Sequence, residues 1–134
     1  MRTVTPEVSV EFDRKLKAGV SYVVHPKDAG SLVSEAGGFA SVEACILPEY
    51  DRSEDYNGKT ITILKDGMVG DIFLLRPIVE EMKRLWPDVV IEICSRLKTE
   101  VAVNTICSHL PYPAEHSLLL QRDAVLNLTT QRGS

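Results

Sequence analysis

Cysteine is scarce in this chain: Cys45, Cys94 and Cys107 are the whole set among 134 residues. The number is odd and no Cys-x-x-Cys pair is present, while His25, His109 and His116 are scattered rather than spaced for tetrahedral coordination. Reduced, mostly buried thiols and no metal site are therefore expected. Positive charge is also short, with 15 Lys and Arg against 19 Asp and Glu and a formal net charge of −4. A nucleic-acid binder displaces phosphate counterions with a basic surface, and this chain has no basic cluster, so no nucleic-acid partner is expected. No apolar run approaches the ~20 residues that a membrane-spanning helix needs, and the first seven residues lack the apolar core of a secretory signal. These absences predict a cytoplasmic protein without a membrane span. With 44% hydrophobic and 25% charged residues, both near globular averages, what remains is a folded α/β or α+β domain.

Two stretches read differently. Residues 1–56 hold short alternating runs, at 8–12 and 20–24, whose β-branched residues suggest brief strands. His25-Pro26-Lys27-Asp28-Ala29-Gly30 and Ala36-Gly37-Gly38-Phe39 suggest turns between strands. A small β-rich appendage is expected here. It ends in a polar, acidic connector from Pro48 to the turn signal Asn57-Gly58, in which Glu49, Asp51, Glu54 and Asp55 read as a solvated run.

Residues 57–134 follow an α/β pattern. Thr60-Ile61-Thr62-Ile63-Leu64 is strongly β-prone. Ile72, Leu75, Val79, Met82 and Leu85 then recur every three or four residues with charged residues between them, as an amphipathic helix requires. Pro77 predicts that this helix is kinked or begins late. Trp86-Pro87-Asp88 closes the helix, with Trp86 as a packing anchor, and residues 89–94 read as a second, buried strand of the parallel type. Residues 97–106 predict a short helix, 108–113 a short strand or loop, 114–120 a helix, and 123–128 another buried strand. The alternating order predicts a parallel sheet with right-handed crossovers.

The segment with chemical content is Lys65-Asp66-Gly67-Met68-Val69-Gly70-Asp71. It places a Gly-x-x-Gly-Asp turn directly after the first strand of a βαβ unit, where open α/β sheets bind ligands beyond the carboxyl ends of their strands. Gly67 and Gly70 are expected to let a ligand approach the backbone, and the N-terminus of the following helix to favour an anion. Asp71 has two readings. It is either an N-terminal helix residue stabilised by the helix dipole or a general base that takes a proton from a sugar hydroxyl.

Taken in order, Lys65, the Gly67 to Asp71 turn, Pro77, Lys83, Pro87-Asp88 and the strand after them resemble the opening of the bacterial ADP-heptose:lipopolysaccharide heptosyltransferases, glycosyltransferase family 9. The likeness is good from Lys59 to Cys94 and looser to Leu128. It implies a partial Rossmann-like parallel sheet, the first half of the N-terminal domain of a GT-B enzyme. It also implies Asp71 as catalytic base and Lys65, Gly67 and Gly70 as substrate-binding residues. The implied ligands are a nucleotide-sugar donor and a hydroxyl acceptor, with no further cofactor. Residues 1–56 have no counterpart in that family and the nucleotide-sugar domain is missing. The expectation is thus a fragment or truncated relative, inactive in transfer by itself, acting with a missing C-terminal domain or as a homo-oligomer. The rival expectation is a non-catalytic α/β interaction module that keeps the fold. A KH-type RNA loop fits poorly because Met68, Val69 and Asp71 replace the basic residues such a loop carries. A phosphate-binding P-loop would need a Gly-Lys-Ser/Thr that does not follow.

Overall fold

A computed structural model describes residues 1–66, 69–96 and 107–129. The first half contains β1 (Arg2–Pro6), β2 (Val10–Phe12), β3 (Arg14–Leu16), β4 (Tyr22–Val24), helix α1 (Pro26–Glu35) and β5 (Ala40–Ala44). The second contains β6 (Thr60–Leu64), α2 (Val69–Phe73), α3 (Arg76–Leu85), β7 (Val90–Ser95), β8 (Ser108–Pro111), β9 (Ala114–Glu115), α4 (His116–Leu120) and β10 (Ala124–Asn127). The helix expected over residues 97–106 lies outside the described residues.

Four strands form a wholly parallel sheet in the order β10-β6-β7-β8. Counted along the second half of the chain, this is the order 3-2-1-4 reversed, compatible with one half of a Rossmann-like sheet. Both faces of its inner strands are covered, so apolar residues fall on both faces of β6 and β7, with Thr62 and Glu92 as buried polar exceptions. Ile61, Ile63, Ile91, Ile93 and Ala124 face the stripe of Ile72, Leu75, Val79, Met82 and Trp86. On the other face Leu64, Cys94 and Val125 pack against Val23, Ala114 and Leu119. Each fully buried Leu or Ile contributes roughly 2–3 kcal/mol relative to exposure, so these two layers dominate the stability of the sheet. The second layer also buries Glu92, whose carboxylate accepts from Thr62 Oγ1 at 2.5 Å and from Arg122 Nε at 2.6 Å. A buried charge is tolerable only with such partners.

The helical stripe departs from expectation at its end and breaks at Pro77, as expected, near its start. Leu85 is 52% exposed and Trp86 takes its place in the core, edge-on to Tyr56 at 5.3 Å. Near the start, the helix is broken in two. Pro77 lacks an N–H and its ring crowds the carbonyl four residues back, that of Phe73; α2 ends at Phe73, and α3 restarts with Pro77 in its first turn.

Residues 1–44 are less uniformly β than expected. The residues read as a turn, His25 to Gly30, open the ten-residue α1: His25 Nδ1 accepts from Lys27 N at 3.1 Å as N-cap, and Pro26 occupies the first turn, where its missing donor costs nothing. The antiparallel sheet beside this helix has the order β5-β1-β4-β9. Its fourth strand comes from the second half of the chain, with Val23 opposite Ala114 and Tyr22 opposite Glu115. The acidic connector is docked as well: Val125 N donates to Pro48 O at 2.8 Å, and Tyr56 is fully buried. Its last turn is the expected one, with Gly58 at φ 77°.

Candidate functional site

The carboxyl ends of β6, β7 and β10 open into a cavity of about 400 Å³. Leu64, Cys94 and Val23 form its apolar part. Lys65 and Asp66 leave the end of β6, Arg96 follows β7, and Thr129 follows β10. The opposite wall comes from the first half of the chain: Met1, then His25, Lys27 and Asp28 where β4 passes into α1. Tyr112, between β8 and β9, completes the lining. A parallel sheet leaves such a hollow where its loops diverge, and here the antiparallel sheet closes one side of it.

One network ties the two sheets together at this cavity. The Arg96 guanidinium bridges Asp13 Oδ2 at 2.6 Å and Asp28 Oδ2 at 2.7 Å, and lies 4.9 Å from the Tyr112 ring centroid. Tyr112 donates its hydroxyl proton to Asp28 Oδ2 and accepts from the His25 backbone N–H at 2.9 Å. Asp13 reaches Arg96 from the tight β2–β3 turn with φ 60°, a left-handed conformation that Asp tolerates better than most residues. Burial alone disfavours the charged form of Arg96, but its hydrogen bonds to Asp28 and Asp13 outweigh that and hold it cationic well above the usual range. Burial, reinforced by the bond to Asp28, pushes the Tyr112 hydroxyl far up. Tyr112 therefore stays a neutral donor. Burial also pushes the Cys94 thiol up to about 12, so this cysteine is a packing atom of the cavity and a poor nucleophile near neutral pH.

Lys65 lies on the cavity wall. Its backbone N–H bonds Cys94 O at 3.1 Å, and its Nζ lies 3.3 Å from Leu128 O. Asp71 is half-buried in α2 and is not one of the residues lining the cavity. Gly67 lies outside the described residues. Gly70 does not use the backbone freedom expected of it: it is helical without a positive φ, and a Cβ there would meet nothing within 4 Å. The helix it belongs to is five residues long, too short for the N-terminal field of a full helix to hold an anion.

Sequence reasoning does not single out Lys27, Asp28, Arg96 or Tyr112. One signal was available for Arg96: a cation directly follows each of the first two parallel strands, Lys65 after Leu64 and Arg96 after Ser95. Lys27 and Asp28 come from the first turn of α1 and Tyr112 from between β8 and β9, and none of them carries such a spacing. Among the described residues no group of three or more His, Cys, Asp or Glu side chains is placed to hold a metal ion, and no helix is long and apolar enough to cross a membrane. No protein-family model, curated protein or solved structure matches the chain.

Proposed function

We propose that residues 1–134 form the acceptor-binding part of a cytoplasmic GT-B glycosyltransferase of the heptosyltransferase kind, working with a nucleotide-sugar domain. The observation that carries this reading is the cavity at the carboxyl edge of the β10-β6-β7-β8 sheet, with Lys65 on its wall. Transfer needs an acceptor hydroxyl to attack the anomeric carbon while the nucleotide diphosphate leaves, and a carboxylate nearby to take the hydroxyl proton. Asp71, in α2 and outside the cavity lining, is the residue the resemblance assigns that role. In this reading Lys65 offers its ammonium to a phosphate of the ligand.

The test is sugar transfer by the chain together with its nucleotide-sugar domain. Asp71→Ala is expected to lower kcat by about 10²–10⁴, the usual worth of a general base, with the circular dichroism spectrum unchanged. Turnover at the original rate would remove Asp71 from the mechanism. Lys65→Ala is expected to weaken binding of a phosphorylated acceptor in titration calorimetry, and equal affinity would count against its role.

A second reading, a non-catalytic interaction module, is favoured by one feature. The edge strand β5 and its flanks expose Phe39 (60%), Val42 (45%) and Ile46 (80%), and an apolar strand edge is a template for pairing with another chain. Loss of partner binding on Val42→Lys, with no transfer activity in any combination of domains, would favour the module.

A further inference from the structure

Residues 1–44 do more than flank the parallel sheet. Met1, Val23, His25, Lys27 and Asp28 are five of the twelve residues lining the cavity with Lys65, so the part that the heptosyltransferase resemblance does not account for is a large share of the site. The charges on the cavity wall are unequally committed. Arg96 is held by Asp13 and Asp28, and Asp28 also accepts from Tyr112. The Lys27 ammonium has no ion pair or hydrogen bond among the described residues, and its only structural role is through its backbone N–H, which bonds the His25 ring. Lys65 Nζ has a single carbonyl contact, Leu128 O at 3.3 Å. The N-terminus of α1 itself is taken by the His25 cap and by Asp28, leaving the two ammonium groups as the anion-seeking elements. Below them the surface is apolar, formed by Val23, Leu64 and Cys94.

We propose that this cavity binds a small ligand with an anionic head and an apolar body, the head between Lys27 and Lys65 and the body on Val23, Leu64 and Cys94. Two ammonium groups suit a phosphate, which lysine meets as a point charge, and a hollow of this size is within the usual range for small ligands. The inference rests on the carboxyl-edge reading above and narrows it: the acceptor carries its anionic group next to an apolar portion, and residues 1–44 help select it. Because Lys27 belongs to the half without a family counterpart, its contribution can fail while the transferase reading stands.

The test is titration of the full chain with phenyl phosphate, followed by calorimetry and by backbone amide shifts. Inorganic phosphate serves as a head without a body, and benzyl alcohol as a body without a charge. Phenyl phosphate is expected to bind more tightly than either control and to move the amides of Lys27, Lys65 and Tyr112. Lys27→Gln and Lys65→Gln, which keep most of the side-chain stem, should each weaken it about tenfold, the loss of one charge-assisted hydrogen bond. Binding unchanged in both variants, shifts confined to another surface, equal binding of phenyl phosphate and inorganic phosphate, or no binding of phenyl phosphate would each overturn the proposal. Sugar transfer that persists in Lys27→Gln alongside unchanged phenyl phosphate binding would sink this inference and leave the transferase reading intact. Phenyl phosphate binding without any transfer would do the reverse.

Discussion

The two sheets of this protein are held in different ways. The two inner strands of the parallel sheet are buried on both faces: Ile61, Thr62, Ile63 and Leu64 are all inaccessible or nearly so, and Ile91 to Ser95 likewise. The antiparallel sheet joins two five-residue strands, β1 and β5, to a three-residue β4 and a two-residue β9, and it needs a strand from more than ninety positions away, Ala114 opposite Val23, to reach four. The parallel half has its core around Ile61, Ile63, Ile91 and Ile93 and the antiparallel half a smaller one around Val4, Leu16, Tyr22 and Leu32; the two meet through Val23, Ala114 and Leu119 and through the Arg96 and Tyr112 network. Contacts so far apart in sequence have a closure entropy that local elements do not, so the antiparallel half is expected to depend on the parallel half more than the reverse.

The sharpest way to break that comparison is to damage each core separately. Ile63, fully buried under α3, and Leu32, fully buried in α1, are equivalent probes. Each change to Ala should cost about 2–5 kcal/mol in lost transfer energy and residual cavity. Urea unfolding followed by Trp86 fluorescence reports the parallel core, and amide exchange of Tyr22 to Val24 reports the antiparallel one. Ile63→Ala is expected to lower both signals together. Leu32→Ala should weaken protection in β4 more than it shifts the Trp86 transition. Equal shifts of both signals in Leu32→Ala would show one indivisible cooperative unit and remove the asymmetry.

The same asymmetry decides what could be read from the sequence. Residues 60–64 and 89–94 announce strands because β-branched and apolar residues dominate both runs, and the spacing of Ile72, Leu75, Val79 and Met82 marks the helix between them. Lys65 could be placed at the carboxyl edge for the same reason. The α1 helix was hidden because Pro26 and Gly30 look like turn residues. Pro26 is in fact tolerated in the first turn, and Gly30, in open space, costs only about 1 kcal/mol as a helix residue. β9 is two residues long, and its existence depends on β4 lying beside it. The far wall of the cavity, Lys27, Asp28 and Tyr112, becomes a site only through that pairing. Leu85 and Trp86 show the finer limit: adjacent apolar residues at a helix end differ in burial because Trp86 can meet Tyr56, a residue the acidic connector seemed to assign to solvent.

A smaller effect separates the two cores by pH. Cys94, at the seam between the sheets, has its thiol pushed up to about 12 by burial, with the Glu92 carboxylate adding to that rise and Arg14 opposing it. An unfolded thiol ionises near 9.0. The fold therefore favours the protonated form. This stabilisation is complete below the unfolded value, and it is lost as pH rises from there through the folded value. Between pH 8.5 and 10.5, wild-type protein should lose about 2 kcal/mol more unfolding free energy than Cys94→Ala, since each tenfold difference in proton affinity between the folded and unfolded thiol is worth about 1.4 kcal/mol. Parallel declines of the two proteins would mean that Cys94 reaches water. Cys45, only partly buried in the first half, should react with a thiol reagent at pH 8 while Cys94 stays protected.

The least costly change tests the joint itself. Tyr112→Phe keeps the ring against Arg96 and removes only the hydroxyl, which links Asp28 to the His25 backbone N–H. Asp28 keeps its Arg96 partner at 2.7 Å, so no carboxylate is stranded. The amide of His25, a residue 6% exposed, loses the hydrogen bond the hydroxyl supplied, and such a bond is worth about 1 kcal/mol. The loss should be local: faster amide exchange at His25 and Lys27, the amino end of α1, with β6 and β7 protected as before. Exchange that accelerates equally in Ile61 and Ile93 would mean that the hydroxyl supports the parallel sheet too, and that neither half is subordinate to the other. Unchanged exchange at His25 would place the joint in the Arg96 ion pairs alone, and Arg96→Met would then be the substitution that loosens α1 from the cavity.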